Sequence, residues 1–152
     1  MLKISKLAGT VIAVVIPNIL TMDSQEFRSL KGLRVLVAED NFISQKLIYH
    51  ILLQWQASPD IAANGKVAVE KASTAIYDVI LMDIMMPELD GYDATRSIRT
   101  MKGSYFHDLP IFAFSATPDQ DKIIECEMTG HITKSPLNKE ELYAKISQYV
   151  KV

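Results

Sequence analysis

The sequence predicts a doubly wound α/β fold in which five parallel strands alternate with five helices. From Leu33 onward, short apolar runs alternate with stretches whose apolar residues recur at helical spacing. The runs are apolar throughout rather than alternating, as expected of strands buried on both faces. Acidic residues directly follow two of these runs, at the strand ends where doubly wound sheets bind ligands.

The composition fits one globular domain with a short extension. The chain has 152 residues, is 49% hydrophobic and 22% charged, and carries a net charge of −2. This balance argues against a disordered chain and leaves no electrostatic footprint for a nucleic-acid partner. Cys126 is the single cysteine, so no internal disulfide can form. A reducing cytoplasm is therefore the expected setting.

Residues 1–32 are predicted to form an apolar arm and linker, and residues 33–152 the domain. The apolar run Leu7–Leu20 follows two lysines, as in a signal peptide. However, Pro17 interrupts the run, and it is too short to span a bilayer. We therefore expect no membrane insertion of this segment.

The first half of the domain is predicted to alternate strictly between strands and helices. Pro59 places the second strand at a sheet edge, because proline cannot donate a ladder hydrogen bond. The predicted elements are a strand over Arg34–Ala38, a helix over Phe42–Gln56, a strand over Ser58–Ala62, a helix over Lys66–Ala75 and a strand over Val79–Met82.

The second half continues the alternation. Its helices carry start signals: Thr117 with Pro118 and Gln120, and Asn138 with Glu141, match capping patterns. The predicted elements are a helix over Tyr92–Met101, a loop with Gly103 and Pro110, a strand over Ile111–Phe114, a helix starting at Thr117, a short strand over His131–Thr133 and a helix over Asn138–Val150.

Three carboxylates fall at strand ends. Glu39 and Asp40 close the first strand, and Asp83 closes the third. If these strands are neighbours, the acids converge, and their mutual repulsion would raise their pKa values unless a cation joined them. An acid at one strand end often only caps a loop. The combination of three favours a site for Mg²⁺, which prefers oxygen ligands and sites shared with phosphate.

Two further polar residues follow the remaining strands. Ser115 comes after IFAF and Lys134 after HIT. A hydroxyl and an ammonium group on the same rim can hold the oxygens of a phosphoryl group. Either residue alone would be an ordinary loop residue. Together with the three acids they indicate a phosphoryl-binding site.

The segments VLVAEDN, DVILMDIMMPELDGYDATRSIR, PIFAFSAT and TK resemble the receiver domains of two-component response regulators. The resemblance covers Leu33–Val152, about four-fifths of the chain. It implies a flavodoxin-like sheet with strand order 2-1-3-4-5. It also implies a phosphoacceptor signalling domain rather than an enzyme, with a histidine kinase or a histidine phosphotransfer domain as its partner.

The resemblance also assigns roles to individual residues. It implies that Asp83 accepts a phosphoryl group from a phosphohistidine. The implied Mg²⁺ ligands are Asp40 and Asp83 directly, Glu39 through water and the backbone carbonyl of Met85. Ser115 and Lys134 would contact the phosphoryl oxygens, Ser115 and His131 would form the conformational switch, and Pro87 and Gly91 would shape the loop after the acceptor.

The sequence departs from the family between Ser115 and Lys134. This segment is shorter than usual, and Ser135 separates Lys134 from Pro136. We expect the Lys134–Ser135 bond to be trans, which would re-aim the loop carrying Lys134 and shorten the last strand or the helix before it. Mg²⁺ binding should persist, with phosphoryl stabilisation and the switch at His131 weaker than in the family.

The segment SKLAGTVIAVVIP is similar to the final strand of histidine-kinase ATP-binding domains. This similarity suggests the C-terminal piece of a hybrid histidine kinase, and the alternative is an apolar arm of another origin. The ATP-binding residues are absent, so no kinase activity is expected. Because strand-forming residues without a parent sheet seek an edge, the arm should pack on this domain, with the Pro59 strand as one edge, or on a second copy as a homodimer.

Three other functions remain to be weighed. The first is an interaction module that keeps the fold but is never phosphorylated. A Mg²⁺-dependent phosphatase with an Asp-x-Asp nucleophile is disfavoured, because Met85 stands where the second aspartate would be. A DNA-binding regulator is disfavoured because no helix-turn-helix precedes the end of the sequence at Val152.

Overall fold

The computed structural model describes residues 3–7, 10–14 and 29–151. Its strands are β1 (Lys3–Leu7), β2 (Thr10–Val14), β3 (Arg34–Ala38), β4 (Ser58–Ala62), β5 (Val79–Met82), β6 (Ile111–Ser115) and β7 (Gly130–Thr133). Its helices are α1 (Phe42–Gln54), α2 (Gly65–Thr74), α3 (Gly91–Arg99), α4 (Ser104–Asp108), α5 (Gln120–Glu125) and α6 (Lys139–Ser147). No helix in these ranges has the length and apolar character needed to cross a membrane.

Five strands form one parallel sheet in the order β4-β3-β5-β6-β7. This is the predicted order 2-1-3-4-5. The strand with Pro59 lies at the edge, as predicted, with Pro59 beside Val35. In the centre, β3 and β5 are neighbours, and Ala38 lies beside Met82. The residues that follow these two strands therefore emerge together at one end of the sheet.

The N-terminal strands form a separate sheet. β1 and β2 pair antiparallel, with Lys3 opposite Val14 and Leu7 opposite Thr10. The strand predicted within the apolar arm is thus present as β2, paired with a strand that the sequence did not predict. Most of the predicted linker lies outside the described residues.

Helices cover both faces of the five-stranded sheet. One core packs β-strand residues such as Leu36 and Ile80 against α2, α3 and α5. The other packs Val37 and Leu81 against α1 and α6. Leu30, which the sequence placed in the linker, is fully buried in this second core and donates its backbone N–H to the Trp55 carbonyl at 2.6 Å.

The domain has six helices in its described part rather than the predicted five. The additional helix α4 lies in the segment predicted to be a loop between Gly103 and Pro110. It is five residues long and contains no buried residue, so no apolar period marks it. Tertiary bonds hold it: the Tyr105 hydroxyl accepts from the Tyr77 N–H at 2.8 Å and donates to the Tyr77 carbonyl at 3.1 Å.

The predicted start at Thr117 of the helix after Ser115 is wrong. α5 begins at Gln120, and Asp119 is its N-cap, with its carboxylate accepting from the Asp121 N–H at 3.0 Å. Asp, Ser and Thr are all good N-cap residues, so the sequence offered two competing start positions. A tertiary contact at Asp119, described below, favours the second one.

The predicted cap of the last helix is confirmed in part. The Asn138 side chain accepts from the Glu141 N–H at 3.0 Å. The Glu141 carboxylate does not close a capping box, because it accepts from the Thr133 N–H at 3.4 Å. The ammonium group of Lys145 donates to the His131 carbonyl. Side chains of α6 therefore bind backbone groups of β7, an edge strand of the sheet.

Arg99 is a buried cation that connects three segments. Its guanidinium donates to the carbonyls of Glu127 at 3.0 Å, Phe106 at 2.6 Å and Leu109 at 2.9 Å. Burial lowers the pKa of Arg99, with nearby acidic groups opposing the effect. The planar fork of donors suits Arg to this task, because it can satisfy several carbonyls at once.

We predict that Arg99→Met lowers the free energy of unfolding by about 3 kcal/mol, because the carbonyls lose their donors while remaining largely buried. Arg96→Met is the matched control. Arg96 pairs with Asp93 on the surface at 2.6 Å, so its loss should cost less than about 1 kcal/mol. Urea unfolding measures both. Equal losses would show that the bonds from Arg99 do not stabilise the fold.

Candidate functional site

The three predicted acids converge where β3 and β5 end. Asp83 donates its backbone N–H to the Ala38 carbonyl at 2.9 Å, which aligns the two strand ends. Oxygens of Glu39, Asp40 and Asp83 lie within 4.8 Å of one another. Glu39 is fully buried, Asp83 is 4% exposed and Asp40 is exposed. The convergence predicted from strand order is confirmed.

The turn after β3 is held by residues that sequence reasoning did not assign to the site. The Asn41 N–H donates to Glu39 Oε1 at 3.0 Å, and the Asn41 side chain caps α1 by accepting from the Ser44 N–H at 3.0 Å. Gln45 Nε2 donates to the Glu39 carbonyl at 2.6 Å. The N-cap position of Asn41 was a readable signal. The Gln45 contact could not be predicted from the sequence, because it depends on the orientation of α1 relative to β3.

Lys134 joins the two buried acids. Its Nζ lies 2.6 Å from Glu39 Oε2 and 2.9 Å from Asp83 Oδ2. Its backbone N–H donates to the Ser115 carbonyl at 3.2 Å. The Lys134–Ser135 bond is trans, as predicted, and Ser135–Pro136 is the only cis bond in the described part of the chain. The ammonium group therefore reaches both acids despite the inserted Ser135.

The charges of this cluster shift one another's protonation. Burial raises the pKa of Glu39, and the contacts with Lys134 and the Asn41 amide offset that effect only in part. Burial alone would lower the pKa of Lys134, but Glu39 and Asp83 outweigh it and raise that pKa. The ammonium form of Lys134 is therefore the one the site holds.

The donor set fits a divalent cation. Glu39 Oε2 is buried, and Lys134 Nζ lies 2.6 Å from it in an ion pair. Three carboxylates face a single ammonium group, which leaves excess negative charge. All the ligand atoms are oxygens, the type that Mg²⁺ prefers, and exposed Asp40 leaves room for water in its shell.

An open cleft of about 320 Å³ lies beside the acids. Its residues come from the ends of β3, β5, β6 and β7: Asp40, Asp83, Met85, Ser115, Ala116, Thr117, Lys134 and Ser135. The Met85 N–H donates to Asp83 Oδ1 at 3.2 Å, so this backbone segment lies against the carboxylate. The role of the Met85 carbonyl as a metal ligand stays a prediction.

The loop after Asp83 packs tightly against α3. A Cβ on Gly91 would lie 2.2 Å from the Asp83 carbonyl oxygen, far inside van der Waals contact. Gly91 has no left-handed φ, so an unusual dihedral angle is not what requires glycine at this position. The constraint is close backbone approach. The left-handed residue of this loop is Glu88, with φ of 67°.

His131 lies on β7 beside Ala113 of β6. Its Nδ1 is 3.3 Å from the amide nitrogen of Gln120 in α5. This contact links His131, on the last strand, to α5, the helix that follows Ser115. Its role as a switch, like that of Ser115, stays a prediction.

The chain belongs to the response regulator receiver domain family, whose model matches residues 35–147. Hybrid signal transduction histidine kinase I of Dictyostelium discoideum is 38% identical over 125 residues, which cover 77% of this chain but only 7% of that protein. The chain thus spans a small part of the curated relatives it matches.

Solved structures agree with this family. The receiver domain of a sensor histidine kinase from Pseudomonas aeruginosa, with a magnesium ion coordinated in its active-site cleft, is 32% identical with a TM-score of 0.71. The match covers 78% of this chain and 98% of that one. The receiver domain of Ssk1 from Saccharomyces cerevisiae, in complex with the histidine phosphotransfer protein Ypd1, is 26% identical with a TM-score of 0.68, covering 79% and 90%.

We predict that Glu39 makes the Mg²⁺-free fold less stable as the pH rises. Its raised pKa means that the folded state holds this proton more tightly than the unfolded chain does. The resulting stabilisation is complete below the unfolded pKa of 4.5 and is lost as the pH rises through the folded value. Urea unfolding in EDTA measures the effect. It is carried out from about pH 4 to about pH 7, because a raised carboxyl pKa falls within that range.

Glu39→Gln isolates this contribution from other titrating groups. The difference in stability between Glu39→Gln and the wild type should shift in favour of the variant as the pH rises. A difference that does not change with pH would contradict the raised pKa of Glu39.

Proposed function

We propose that this chain accepts a phosphoryl group on Asp83 from the phosphohistidine of a histidine kinase or histidine phosphotransfer domain, in a Mg²⁺-dependent reaction. One observation carries the proposal: the Asp83 carboxylate lies at the cleft with Lys134 Nζ at 2.9 Å and two further acids beside it. A carboxylate with a cation site and a fixed ammonium group has what phosphoryl transfer needs.

The reaction follows from this geometry. An oxygen of Asp83 attacks phosphorus in line as the bond from phosphorus to the imidazole nitrogen breaks, which leaves an acyl phosphate and a free histidine. Lys134 and the Ser115 hydroxyl hold the phosphoryl oxygens as they settle beside Asp83. Mg²⁺, held by Glu39, Asp40 and Asp83, would neutralise charge on the transferring group. Positioning and electrostatics are the protein's whole contribution.

An exposed apolar patch beside the acids suits the partner. Phe42 and Ile43, in the first turn of α1, are 67% and 76% exposed, and Leu47 follows one turn later. Met85 lines the cleft and is also exposed. We call these four side chains the α1 patch. Exposed apolar side chains near a site are typical of a protein interface; here Phe42 follows Asp40 by two residues, and Met85 lines the cleft itself.

We also propose that the chain is part of a hybrid histidine kinase acting in the cytoplasm. The β1–β2 hairpin supports the assignment, since it stands before the linker in the segment similar to a kinase ATP-binding domain. The match to a hybrid histidine kinase supports it too. In this arrangement residues 1–32 are arm and linker, with Leu30 packed into the core of the receiver formed by residues 33–152.

We predict that the chain gains one phosphoryl group on incubation with phosphoramidate and Mg²⁺, detected by intact mass, and that EDTA prevents the gain. Asp83→Asn should abolish it, because the acceptor oxygen is lost. Asp93→Asn is the control, since Asp93 pairs with Arg96 on the surface of α3, and it should label like the wild type. A wild type that never gains mass would indicate an interaction module that is not phosphorylated.

We predict that Ile43→Ser slows phosphotransfer from a phosphorylated histidine phosphotransfer domain by about tenfold, the effect of losing one exposed interface anchor. Labelling by phosphoramidate should stay unchanged, because the acids are untouched. Leu53→Ser is the control: Leu53 is 44% exposed near the other end of α1. If the two variants slow phosphotransfer equally, the α1 patch is not the docking surface.

A further inference from the structure

The helix α5 is held mainly at its ends. It spans six residues, Gln120–Glu125, and Ile123 is the only one buried. Ile124 beside it is 74% exposed. A short helix with one buried side chain gains little from packing, so the contacts at its two ends decide its position. Both ends are bound by side chains of α3.

Tyr92 binds the start of α5. Its hydroxyl accepts from the Asp119 N–H at 2.8 Å and lies 3.5 Å from the Asp119 carbonyl. Asp119 is the N-cap of α5. The ammonium group of Lys122, in the first turn, lies 5.4 Å from the centre of the Tyr92 ring. Tyr92 is only 6% exposed, so these contacts form where water does not compete freely.

Arg99 binds the other end. Its guanidinium Nε donates to the Glu127 carbonyl at 3.0 Å, just past the end of α5. One helix, α3, therefore carries both anchors of α5.

The first turn of α3 also packs against the loop after Asp83, which we call the acceptor loop. The Gly91 backbone leaves no room for a Cβ beside the Asp83 carbonyl oxygen. The Gly91 N–H donates to the Ile84 carbonyl at 3.0 Å, and the Thr95 hydroxyl binds the Gly91 carbonyl at 2.7 Å. Gly91 is therefore in direct contact with the backbone of this loop, and Tyr92 is the next residue of α3.

We propose that Tyr92 is a positioning residue that couples the loop after Asp83 to α5 and to the cleft wall formed by Ala116 and Thr117. This role rests on the proposed function, because it concerns how the phosphorylated site keeps Ala116 and Thr117 in place and how a change at the site reaches α5. The hydroxyl keeps the segment between Ser115 and α5 against the cleft. Without it, that wall loosens, α5 loses its anchor and water reaches the phosphoryl group more easily.

Tyr92→Phe removes the hydroxyl and keeps the ring. Tyr105→Phe is a matched control, because the Tyr105 hydroxyl also bridges the N–H and carbonyl of one residue, Tyr77, at 2.8 and 3.1 Å. Tyr77 precedes β5, at the end of the sheet away from the acids. Both variants therefore lose one tyrosine bridge to the backbone, but only one loses the bridge to α5.

The first measurement is amide hydrogen exchange in the unphosphorylated chain. Tyr92→Phe should speed exchange of the Ile123 and Cys126 amides by about fivefold, the effect of one lost hydrogen bond on local opening. Tyr105→Phe should leave them unchanged. Equal exchange of these amides in both variants would overturn the proposal.

The second measurement is the lifetime of the phosphoryl group after labelling with phosphoramidate. Tyr92→Phe should shorten it several-fold while the Mg²⁺ affinity stays within about twofold, a split that general loss of stability would not produce. A lifetime equal to that of Tyr105→Phe would overturn the coupling. If the wild type gains no phosphoryl group, the proposed function and the coupling both fail, and the exchange result still shows whether Tyr92 anchors α5.

Discussion

The contact of the Lys134 ammonium group with Glu39 and Asp83 is the interaction on which the site depends. Parallel pairing of β3 and β5 brings two carboxylates together where little water can screen them. Two buried like charges at this distance repel strongly. Lys134 offsets that repulsion only because β7 ends at the same rim, with its backbone tied to Ser115 of β6. The strand order, the buried acids and the lysine are therefore parts of one electrostatic arrangement.

This arrangement leaves the site short of positive charge. One ammonium group cannot neutralise three carboxylates. In the proposed function, a divalent cation would supply the missing charge, and a phosphoryl group would add oxygens for Lys134 and Ser115 to hold. The α1 patch includes Met85 of the cleft wall, and α3 contacts both the acceptor loop and α5.

Much of this could be predicted from sequence because it depends on local pattern. Apolar runs marked the central strands, Pro59 marked the edge strand, and strand ends marked the acids. Other features depend on contacts between distant segments. The helix α4 is held by Tyr105 bonds to Tyr77, and α5 starts at Asp119, where the Tyr92 hydroxyl lies. The need for glycine at residue 91 comes from an approach to Asp83 that no local pattern reveals.

The most direct test of the central claim is a titration of the ¹⁵N-labelled chain with Mg²⁺, followed by NMR. If Glu39, Asp40 and Asp83 form one cation site, the amides of Asp40, Asp83 and Met85 will shift together and saturate at one ion per chain. The Lys134 ammonium signal will shift with them, because the same acids hold it. Asp40→Asn will weaken binding by about tenfold or more, as expected for loss of a charged ligand. Shifts that never saturate, or that are the same in Asp40→Asn, would contradict the claim.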